Sequence, residues 1–255
     1  MSPLRLDQLL VQRGFAASRT QSQKMILAGQ VKAKASGQWV VQSKPSIKLD
    51  DDVALDVTLG DEQKYVSRAG LKLEGALAHM GLDVQGRVAL DVGQSTGGFT
   101  DCLVRKGVSH VVGVDVGRDQ LVERLRLDDR VTCIEKTNAR ELSAQTFEEV
   151  SAYSLFDIIV MDVSFISQSL ILPQLPSLMK PGATLVSLVK PQFEVGSAGI
   201  SKGGIVKDPS LYAEVKTRLC KQAGALGLNV EDFFDSPITG GDGNREFFLC
   251  AKKPL

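Results

Sequence analysis

The segment from Val88 to Asp101 constrains the fold of this chain more than any other part of its sequence. It reads VALDVGQSTGGFTD, which is a short apolar run, a glycine-rich bend and the start of a helical pattern. Glycine adopts backbone torsions that other residues avoid, and its small size lets a ligand approach the first amide groups of a helix. The segment therefore predicts a strand, a bend and a helix that together bind a small nucleoside-like ligand.

Three kinds of ligand site are compatible with such a bend. A dinucleotide site of the form G-x-G-x-x-G needs a second glycine beside the pyrophosphate, and Ser95 at that position disfavours NAD without ruling it out. The run from Gly93 to Gly97 also matches the G-x-S-x-G elbow of serine hydrolases. That chemistry needs a histidine later in the chain, whereas His79 precedes the serine and His110 lies at the start of the next predicted strand. The hydrolase is therefore disfavoured too.

The third kind of site is the D-x-G-x-x-x-G loop that lies under the methionine end of S-adenosylmethionine in Rossmann-like methyltransferases. We favour it over the other two, because a tight turn without a ligand explains one glycine but not four small residues flanked by two acids. The predicted cofactor is thus S-adenosylmethionine. The bend residues expected to contact it are Asp91, Gly93, Ser95, Thr96, Gly97, Gly98 and Phe99.

From residue 87 onward, strand patterns alternate with helix patterns, which is typical of a parallel sheet covered on both faces. The predicted parallel strands are 87–92, 110–116, 131–135, 156–162 and 184–189. Two further strands, 228–235 and 245–252, are joined by a connection short enough for an antiparallel pair. The predicted fold class is therefore α/β, with a Rossmann-like methyltransferase sheet that is parallel except for an antiparallel last strand.

Polar residues stand where these predicted strands end. Asp115 ends the second strand, close to where an acid accepts hydrogen bonds from a ribose diol. Asn138 follows the third strand, Asp162 ends the fourth and Lys190 follows the fifth. Since the carboxyl ends of parallel strands meet at one edge, we expect Asp115, its neighbour Val116, Asn138 and Asp162 to contact the cofactor.

Composition limits the classes of protein that this chain represents. With 255 residues and 43% hydrophobic content it has the length for one or two domains with a substantial core. No apolar run approaches the roughly 20 residues of a membrane span, and the first residues lack the apolar segment of a signal peptide. We expect a cytoplasmic protein without membrane contact. The four cysteines form no C-x-x-C pair and lie away from both histidines, so neither a disulfide nor a metal site is expected.

The zero net charge of the chain is unevenly distributed. Residues 1–49 contain eight basic residues and one acid, a net charge of +7, so the remainder carries −7. A basic segment joined to an acidic one suggests a polyanion-docking module and a separate chemical module. We place the boundary near residues 60–65 and predict domains at 1–60 and 61–255.

The first predicted domain combines two short helices with a hairpin. Gly14 ends the first helix, and Ser18 with Gln21 forms a capping box that opens the second. Two strand patterns, 30–35 and 39–41, flank a Ser-Gly turn.

The letters RLDQLL from residue 5 and SRTQSQKMILAGQVKA from residue 18 resemble the S4 RNA-binding domain of ribosomal protein S4 and pseudouridine synthases. The resemblance implies that the second helix and the hairpin present basic groups to structured RNA. A solvated basic surface without an RNA partner is the alternative. The residues implied for RNA contact are Arg5, Arg19, Lys24, Lys32 and Lys34.

Residues 65–81 predict a helix capped by Ser67. Arg68 and Lys72 are four residues apart and so share one face of it. Two neighbouring cations repel each other, so either both face solvent or a polyanion lies across them. The second case adds Arg68 to the expected RNA contacts.

A series of motifs in chain order resembles the TlyA family, S4-containing relatives of FtsJ-type RNA methyltransferases that are often labelled hemolysin A. The motifs are YVSR with a lysine four residues on, DVGQSTGGFTD, VDVG, TN, DIIVMDVSFIS, VKPQFE and GDGNRE. The resemblance covers nearly the whole chain and implies 2'-O-methylation of cytidine in ribosomal RNA, in 23S and as a second candidate in 16S. It implies ribosomal RNA or ribosomal subunits as partners, and neither DNA nor membrane; we expect a monomer.

The resemblance also implies a catalytic tetrad of Lys72, Asp162, Lys190 and Glu246. A ribose hydroxyl is a weak nucleophile and must lose its proton as it attacks. A lysine accepts that proton only where its own is unfavourable, and a second lysine nearby supplies such repulsion. We therefore expect Lys72 beside Lys190, with the two carboxylates orienting them and no metal involved. Alone, each residue would be an ordinary surface ion-pair partner.

Two departures from the family pattern bear on the cofactor. GRDQ at 117–120 stands where relatives usually have GYGQ, and EKT at 135–137 stands where an arginine is common. Contacts on the adenosine side are therefore expected to differ in detail. The competing functions are a non-catalytic ribosome-binding protein and, with less support in the sequence, a membrane-lysing toxin.

Overall fold

The chain folds into two compact units, 1–64 and 65–255. The structure is a computed structural model that describes residues 3–16, 18–58, 64–148, 150–241 and 243–255. The boundary expected from the sequence, between residues 60 and 61, lies outside the described residues.

The first unit has the two helices and the hairpin that the sequence predicts. Ser18 caps the second helix by accepting a hydrogen bond from the Gln21 backbone at 3.2 Å. A third strand joins the hairpin to form a three-stranded sheet, and two further short strands form a separate two-stranded sheet. Its elements are β1 (Leu4–Arg5), α1 (Leu6–Gln12), α2 (Arg19–Leu27), β2 (Val31–Ala35), β3 (Gln38–Val41), β4 (Lys48–Leu49) and β5 (Leu55–Val57). Its core consists of Leu6, Leu10, Ala16, Met25, Ile26 and Val31.

The second unit is built on a seven-stranded sheet. Its strands are β6 (Val88–Val92), β7 (His110–Val114), β8 (Val131–Ile134), β9 (Phe156–Met161), β10 (Met179–Val189), β11 (Asn229–Asp235) and β12 (Phe247–Lys252). Their order is β11-β12-β10-β9-β6-β7-β8, and only the pairs of β12 with β10 and with β11 are antiparallel. The predicted α/β fold class, a mostly parallel methyltransferase sheet with an antiparallel end, is confirmed.

Helices cover both faces of this sheet. They are α3 (Ala69–His79), α4 (Gly98–Arg105), α5 (Glu123–Arg126), α6 (Gln145–Glu148), α7 (Leu175–Leu178) and α8 (Ser210–Ala225). On one face Leu73 of α3 and Phe99 of α4 pack in a buried cluster, and on the other Phe147 of α6 packs with Leu219 of α8. Among the described residues, no helix combines the length and the apolar character that crossing a membrane requires.

The observed elements differ from the predicted ones mainly at their ends. Strands β7 and β9 end at Val114 and Met161, two residues and one residue before their predicted ends, although the amides of Asp115 and Asp162 still donate to the neighbouring strands. Strand β10 begins at Met179 and not at 184, because Met179 already pairs with Phe156 of β9. The pairing then changes register before Thr184. The prediction that Ser67 caps α3 is wrong: the helix begins at Ala69, and the Ser67 side chain lies against α4.

Candidate active site

Two glycines of the bend after β6 stand where a side chain would collide with neighbouring residues. Gly93 has φ +85°, and a Cβ there would overlap the Asp162 carbonyl and lie 3.0 Å from Val163 Cγ1. Gly97 has φ +96°, and a Cβ there would lie 2.5 Å from Leu125 Cδ1. Left-handed torsions and close neighbours each disfavour other residues, so Gly93 lets the chain after β9 approach the bend and Gly97 lets Leu125 of α5 approach it.

Asp115, just past β7, ties two backbone segments together. One carboxylate oxygen accepts from the Ser95 amide and the other from the Gly117 amide, both at 2.7 Å. The carboxylate is partly exposed, and Val116 beside it is 77% exposed. An acid held in this way keeps lone pairs for hydroxyl groups of a ligand.

Two adjoining cavities lie at the carboxyl edge of the sheet, with volumes of about 590 Å³ and 140 Å³. The residues that line both are Gly93, Ser95, Asp162 and Ser164. The larger cavity has the size of a small-molecule site. The predicted cofactor contacts that line it are Gly93, Ser95, Asp115, Val116, Asn138 and Asp162, and those of the smaller cavity include Thr96, Gly98 and Phe99.

A buried chain of polar groups lies beneath the bend. Thr100 Oγ1 donates to Asp91 Oδ2 at 2.6 Å, and Gln94 Nε2 donates to Thr100 Oγ1 at 2.9 Å. Burial raises the pKa of Asp91 to about 7, against the hydrogen bond from Thr100. The other acceptors, Asp91 Oδ1 and Gln94 Oε1, are buried without a hydrogen-bond partner among the described residues.

Unpaired buried acceptors are costly unless a donor or cation reaches them. S-adenosylmethionine carries a sulfonium and an ammonium group. The residues present therefore fit this cofactor: an acid for a ribose diol at Asp115, Gly93 and Ser95 of the bend lining both cavities, and unsatisfied oxygens at Asp91 and Gln94.

The four predicted catalytic side chains form two ion pairs. Lys190 Nζ lies 2.6 Å from Asp162 Oδ1 and donates a hydrogen bond to Ser164 Oγ at 2.9 Å. Lys72 Nζ lies 2.5 Å from Glu246 Oε2. The solvent-facing alternative for Lys72 is wrong, because its ammonium is buried against Glu246, one of the two carboxylates expected to orient the lysines. That a polyanion lies across Arg68 and Lys72 stays a prediction.

Sheet topology brings these residues to one edge. Val189 of β10 pairs with Phe247 of β12, so Lys190 and Glu246 occupy adjacent strand ends. Asp162 follows β9, which runs parallel to β10. Gly240 leaves space for the Glu246 carboxylate, since a Cβ there would lie 2.6 Å from Glu246 Oε1.

The structure adds residues that sequence patterns did not single out. Phe165 lies on the larger cavity, is 91% exposed and has φ +63°, and its ring centroid lies 5.1 Å from that of Phe193. Its position three residues after a strand-ending acid was the only available signal. The other additional lining residues of the larger cavity include Gln120, Thr137, Arg140, Ile166 and Ile171.

The basic residues predicted to contact RNA are all at least partly exposed. In the first unit, Arg5 and Arg19 converge on the buried carboxylate of Asp7, at 3.0 and 3.2 Å. The Arg5 guanidinium holds the pKa of Asp7 well below its ordinary value. Lys24 is exposed, Lys32 lies 3.4 Å from Asp56 and Lys34 lies 6.0 Å from the Trp39 ring centroid. In the second unit, exposed Arg68 donates to the Thr239 carbonyl at 3.4 Å.

Fold and site together define a class. A mostly parallel sheet with an antiparallel end, a glycine bend after β6 and an acid after β7 are the features of a Rossmann-like methyltransferase unit. A structure from Listeria monocytogenes described as an S-adenosylmethionine-dependent methyltransferase shares this fold, with a TM-score of 0.54 at 12% identity over 72% of this chain and 99% of that one.

The chain belongs to the FtsJ-like methyltransferase family, whose model matches residues 65–253; an S4 domain model matches residues 4–32. It is similar to the 16S/23S rRNA (cytidine-2'-O)-methyltransferase TlyA of Mycobacterium tuberculosis, at 41% identity over 97% of this chain and 89% of that protein. It is also similar to a solved structure described as a candidate hemolysin from Streptococcus thermophilus, with a TM-score of 0.72 and 40% identity over 100% of this chain and 90% of that one. The resemblance to the TlyA family that the sequence motifs indicate is thereby confirmed.

Proposed function

We propose that this protein transfers the methyl group of S-adenosylmethionine to the 2'-hydroxyl of a cytidine in ribosomal RNA. One observation carries the proposal: Lys190 and Asp162 line the same small cavity as Thr96 and Phe99 of the bend. The proposed proton acceptor and the bend that would bind the methyl donor thus line the same cavity. The name of the Mycobacterium tuberculosis relative supports the nucleotide and the RNA.

The bend, Asp115 and the larger cavity would hold the cofactor. When bound, S-adenosylmethionine supplies a methyl group on a positively charged sulfur. Asp115 would accept hydrogen bonds from the ribose diol, and the backbone at Gly93 would lie against the ligand. Asp91 would present an unpaired carboxyl oxygen beneath the bend.

Lys190 is the proposed general base. As the RNA oxygen bonded to the methyl carbon, the bond from that carbon to sulfur would break and leave S-adenosylhomocysteine, and the hydroxyl proton would pass to the lone pair of Lys190 Nζ, which Asp162 and Ser164 hold in place. A general base contributes roughly 10² to 10⁴ in rate. Holding the hydroxyl in line contributes through proximity, which in ideal geometry reaches about 7 to 11 kcal/mol. Lys72, fixed by Glu246, provides a second cation at the same edge.

Two surfaces support an RNA substrate. The Phe165 ring stands at the rim of the larger cavity with 91% of its area exposed, and unpaired RNA bases stack on such rings. The first unit matches the S4 model and presents Arg5 and Arg19 side by side on Asp7. Guanidinium groups held together in this way suit phosphate oxygens.

The test is nucleotide-resolution mapping of the methyl group that the full chain adds to ribosomal subunits from methyl-labelled cofactor. We expect label on the 2'-oxygen of a cytidine. In parallel, calorimetry with S-adenosylhomocysteine should show saturable binding that Asp115→Ala weakens. Label on a base atom would contradict the proposed chemistry, and RNA binding without any transfer would favour the non-catalytic alternative.

A further inference from the structure

Glu194 is a buried carboxylate that the proposed mechanism does not use. It lies four residues after Lys190, and its side chain is 1% exposed. Its carboxylate accepts hydrogen bonds from Ser167 Oγ, from the Gln168 backbone amide and from Arg218 Nη2, each at 2.7 Å. Both carboxylate oxygens are therefore occupied by donors from two other segments of the chain.

Gln168 connects the same segment to β10 on the other side of Lys190. Its buried side-chain amide donates to the Leu188 carbonyl and accepts from Ser187 Oγ at 2.7 Å. Leu188 and Ser187 precede Lys190 by two and three residues. The chain that carries Lys190 is thus fastened to the chain after β9 at two points, one before the lysine and one after it, at Glu194.

The Asp162–Lys190 ion pair lies between these two fastenings. Asp162 precedes Ser167 by only five residues, and Ser164, which accepts a hydrogen bond from Lys190, lies between them. The distance of 2.6 Å between Asp162 Oδ1 and Lys190 Nζ therefore depends on how the segment after β9 and the segment after β10 are held together.

Holding a loop with a buried carboxylate is energetically unfavourable unless the charge is compensated. Burying an ionised group costs several kcal/mol unless charges and hydrogen bonds offset it. Arg218 of α8 supplies the opposite charge, and Ser167 and Gln168 supply neutral donors from a different direction. Charge-assisted hydrogen bonds from several directions fix a group more narrowly than apolar contact does.

We propose that Glu194 is a positioning residue that holds Lys190 against Asp162 for proton transfer; this inference rests on the proposed function. Glu194 is not among the described residues that line either cavity. Its network with Gln168 sets the place of the Lys190 amine, so loosening it should affect the chemical step and not cofactor binding.

Glu194→Gln tests this, because the amide keeps the size of the side chain but turns one acceptor oxygen into a donor. We expect kcat for methyl transfer to fall on the order of 10²-fold, as expected for a catalytic group misplaced by about 1 Å, with S-adenosylhomocysteine affinity unchanged. We also expect the pH midpoint of kcat to shift, which partial unfolding alone does not produce. Glu214→Gln, the same exchange at an exposed position of α8, is the matched control.

A second measurement follows Lys190 without any activity. Acetic anhydride labelling, mapped by mass spectrometry, should modify Lys190 severalfold faster in Glu194→Gln than in wild type, with the rate at exposed Lys202 unchanged. If that variant does not fold, Arg218→Gln weakens the same network and should show a smaller change in the same direction.

Wild-type kcat in Glu194→Gln, or a parallel loss of kcat and cofactor affinity with an unchanged pH midpoint, overturns the inference. If wild type transfers no methyl group to RNA, the proposed function fails. In that case labelling alone decides the positioning role, and unchanged Lys190 labelling rejects it.

Discussion

The two lysine–carboxylate pairs at the sheet edge have the same chemistry but different surroundings. Lys190 and Asp162 line the small cavity with side chains 13% and 16% exposed. Lys72 and Glu246 have side chains 9% and 3% exposed and are absent from the described residues that line the two cavities. An ion pair that lines a cavity is accessible to a substrate hydroxyl. A buried ion pair that does not line the cavity contributes only a fixed charge. The difference is the reason why we propose Lys190 as the proton acceptor and Lys72 as an electrostatic support.

The largest expected effect comes from breaking the closed pair. Glu246→Gln leaves the Lys72 ammonium buried without a countercharge, which costs about 3 to 5 kcal/mol in the free energy of unfolding. Asp162→Asn should cost less, because the cavity lets solvent reach Lys190. Urea denaturation of both variants measures the difference.

The double variant Lys72→Met with Glu246→Leu is the control for this prediction. Removing both charges should restore most of the lost stability, since no unpaired charge remains, while methyl transfer stays impaired. Equal losses in Glu246→Gln and Asp162→Asn would mean that the two pairs do not differ in the way proposed here.

The next effect concerns Asp91, which is fully buried in β6. Burial raises its pKa to about 7, whereas an unfolded carboxyl titrates near its ordinary value. Between about pH 4 and pH 7 the unfolded chain releases this proton and the folded protein keeps it. The Asp91 contribution to stability therefore falls as pH rises through that window, by no more than about 4 kcal/mol.

Asp91→Asn removes this contribution while keeping the side-chain shape. Urea denaturation at pH 5 and pH 8 should show the variant gaining stability relative to wild type at the higher pH. The difference between the two proteins isolates Asp91 from the other carboxyls, such as Asp7, whose pKa is lowered. An identical difference at both pH values would contradict the prediction.

The smallest expected effect lies in the first unit. Arg19→Ala should weaken RNA binding and reduce the slope of log affinity against log salt by about one, because one phosphate contact is lost. Lys48→Ala, at an exposed position outside the predicted contact set, is the control and should leave the slope unchanged. An unchanged slope in Arg19→Ala would make Arg19 only a structural partner of Asp7.

The sequence predicted the architecture because each strand and bend has a local signal. Alternating apolar runs predicted the sheet, and the bend at Gly93 predicted the position of the cavities. The ends of β7 and β9 differ from the prediction by two residues and one residue. The amides of Asp115 and Asp162 still donate to the neighbouring strands, but their side chains line the larger cavity.

Other features of the site have no local signal. The pairing of Lys72 with Glu246 has no signal in the residues near Lys72, because it depends on the return of the last strand; only the family resemblance put the two residues in one tetrad. The same holds for Glu194, whose partners come from two distant segments. The exposure of Phe165 follows from a left-handed backbone that local propensity disfavours.

The central claim is that Lys190 accepts the proton, and single-turnover methyl transfer to ribosomal subunits with saturating labelled cofactor tests it most directly. Lys190→Arg puts a permanent positive charge beside Asp162, because a guanidinium does not give up its proton near neutral pH and so cannot act as the base. Lys180→Ala is the matched control, because Lys180 lies on the same strand at the opposite sheet edge and also forms an ion pair, 2.9 Å from Asp157. We predict that Lys190→Arg binds S-adenosylhomocysteine as wild type does and transfers no methyl group, while Lys180→Ala stays active. An active Lys190→Arg variant would contradict the claim and reduce Lys190 to a cation that only positions RNA.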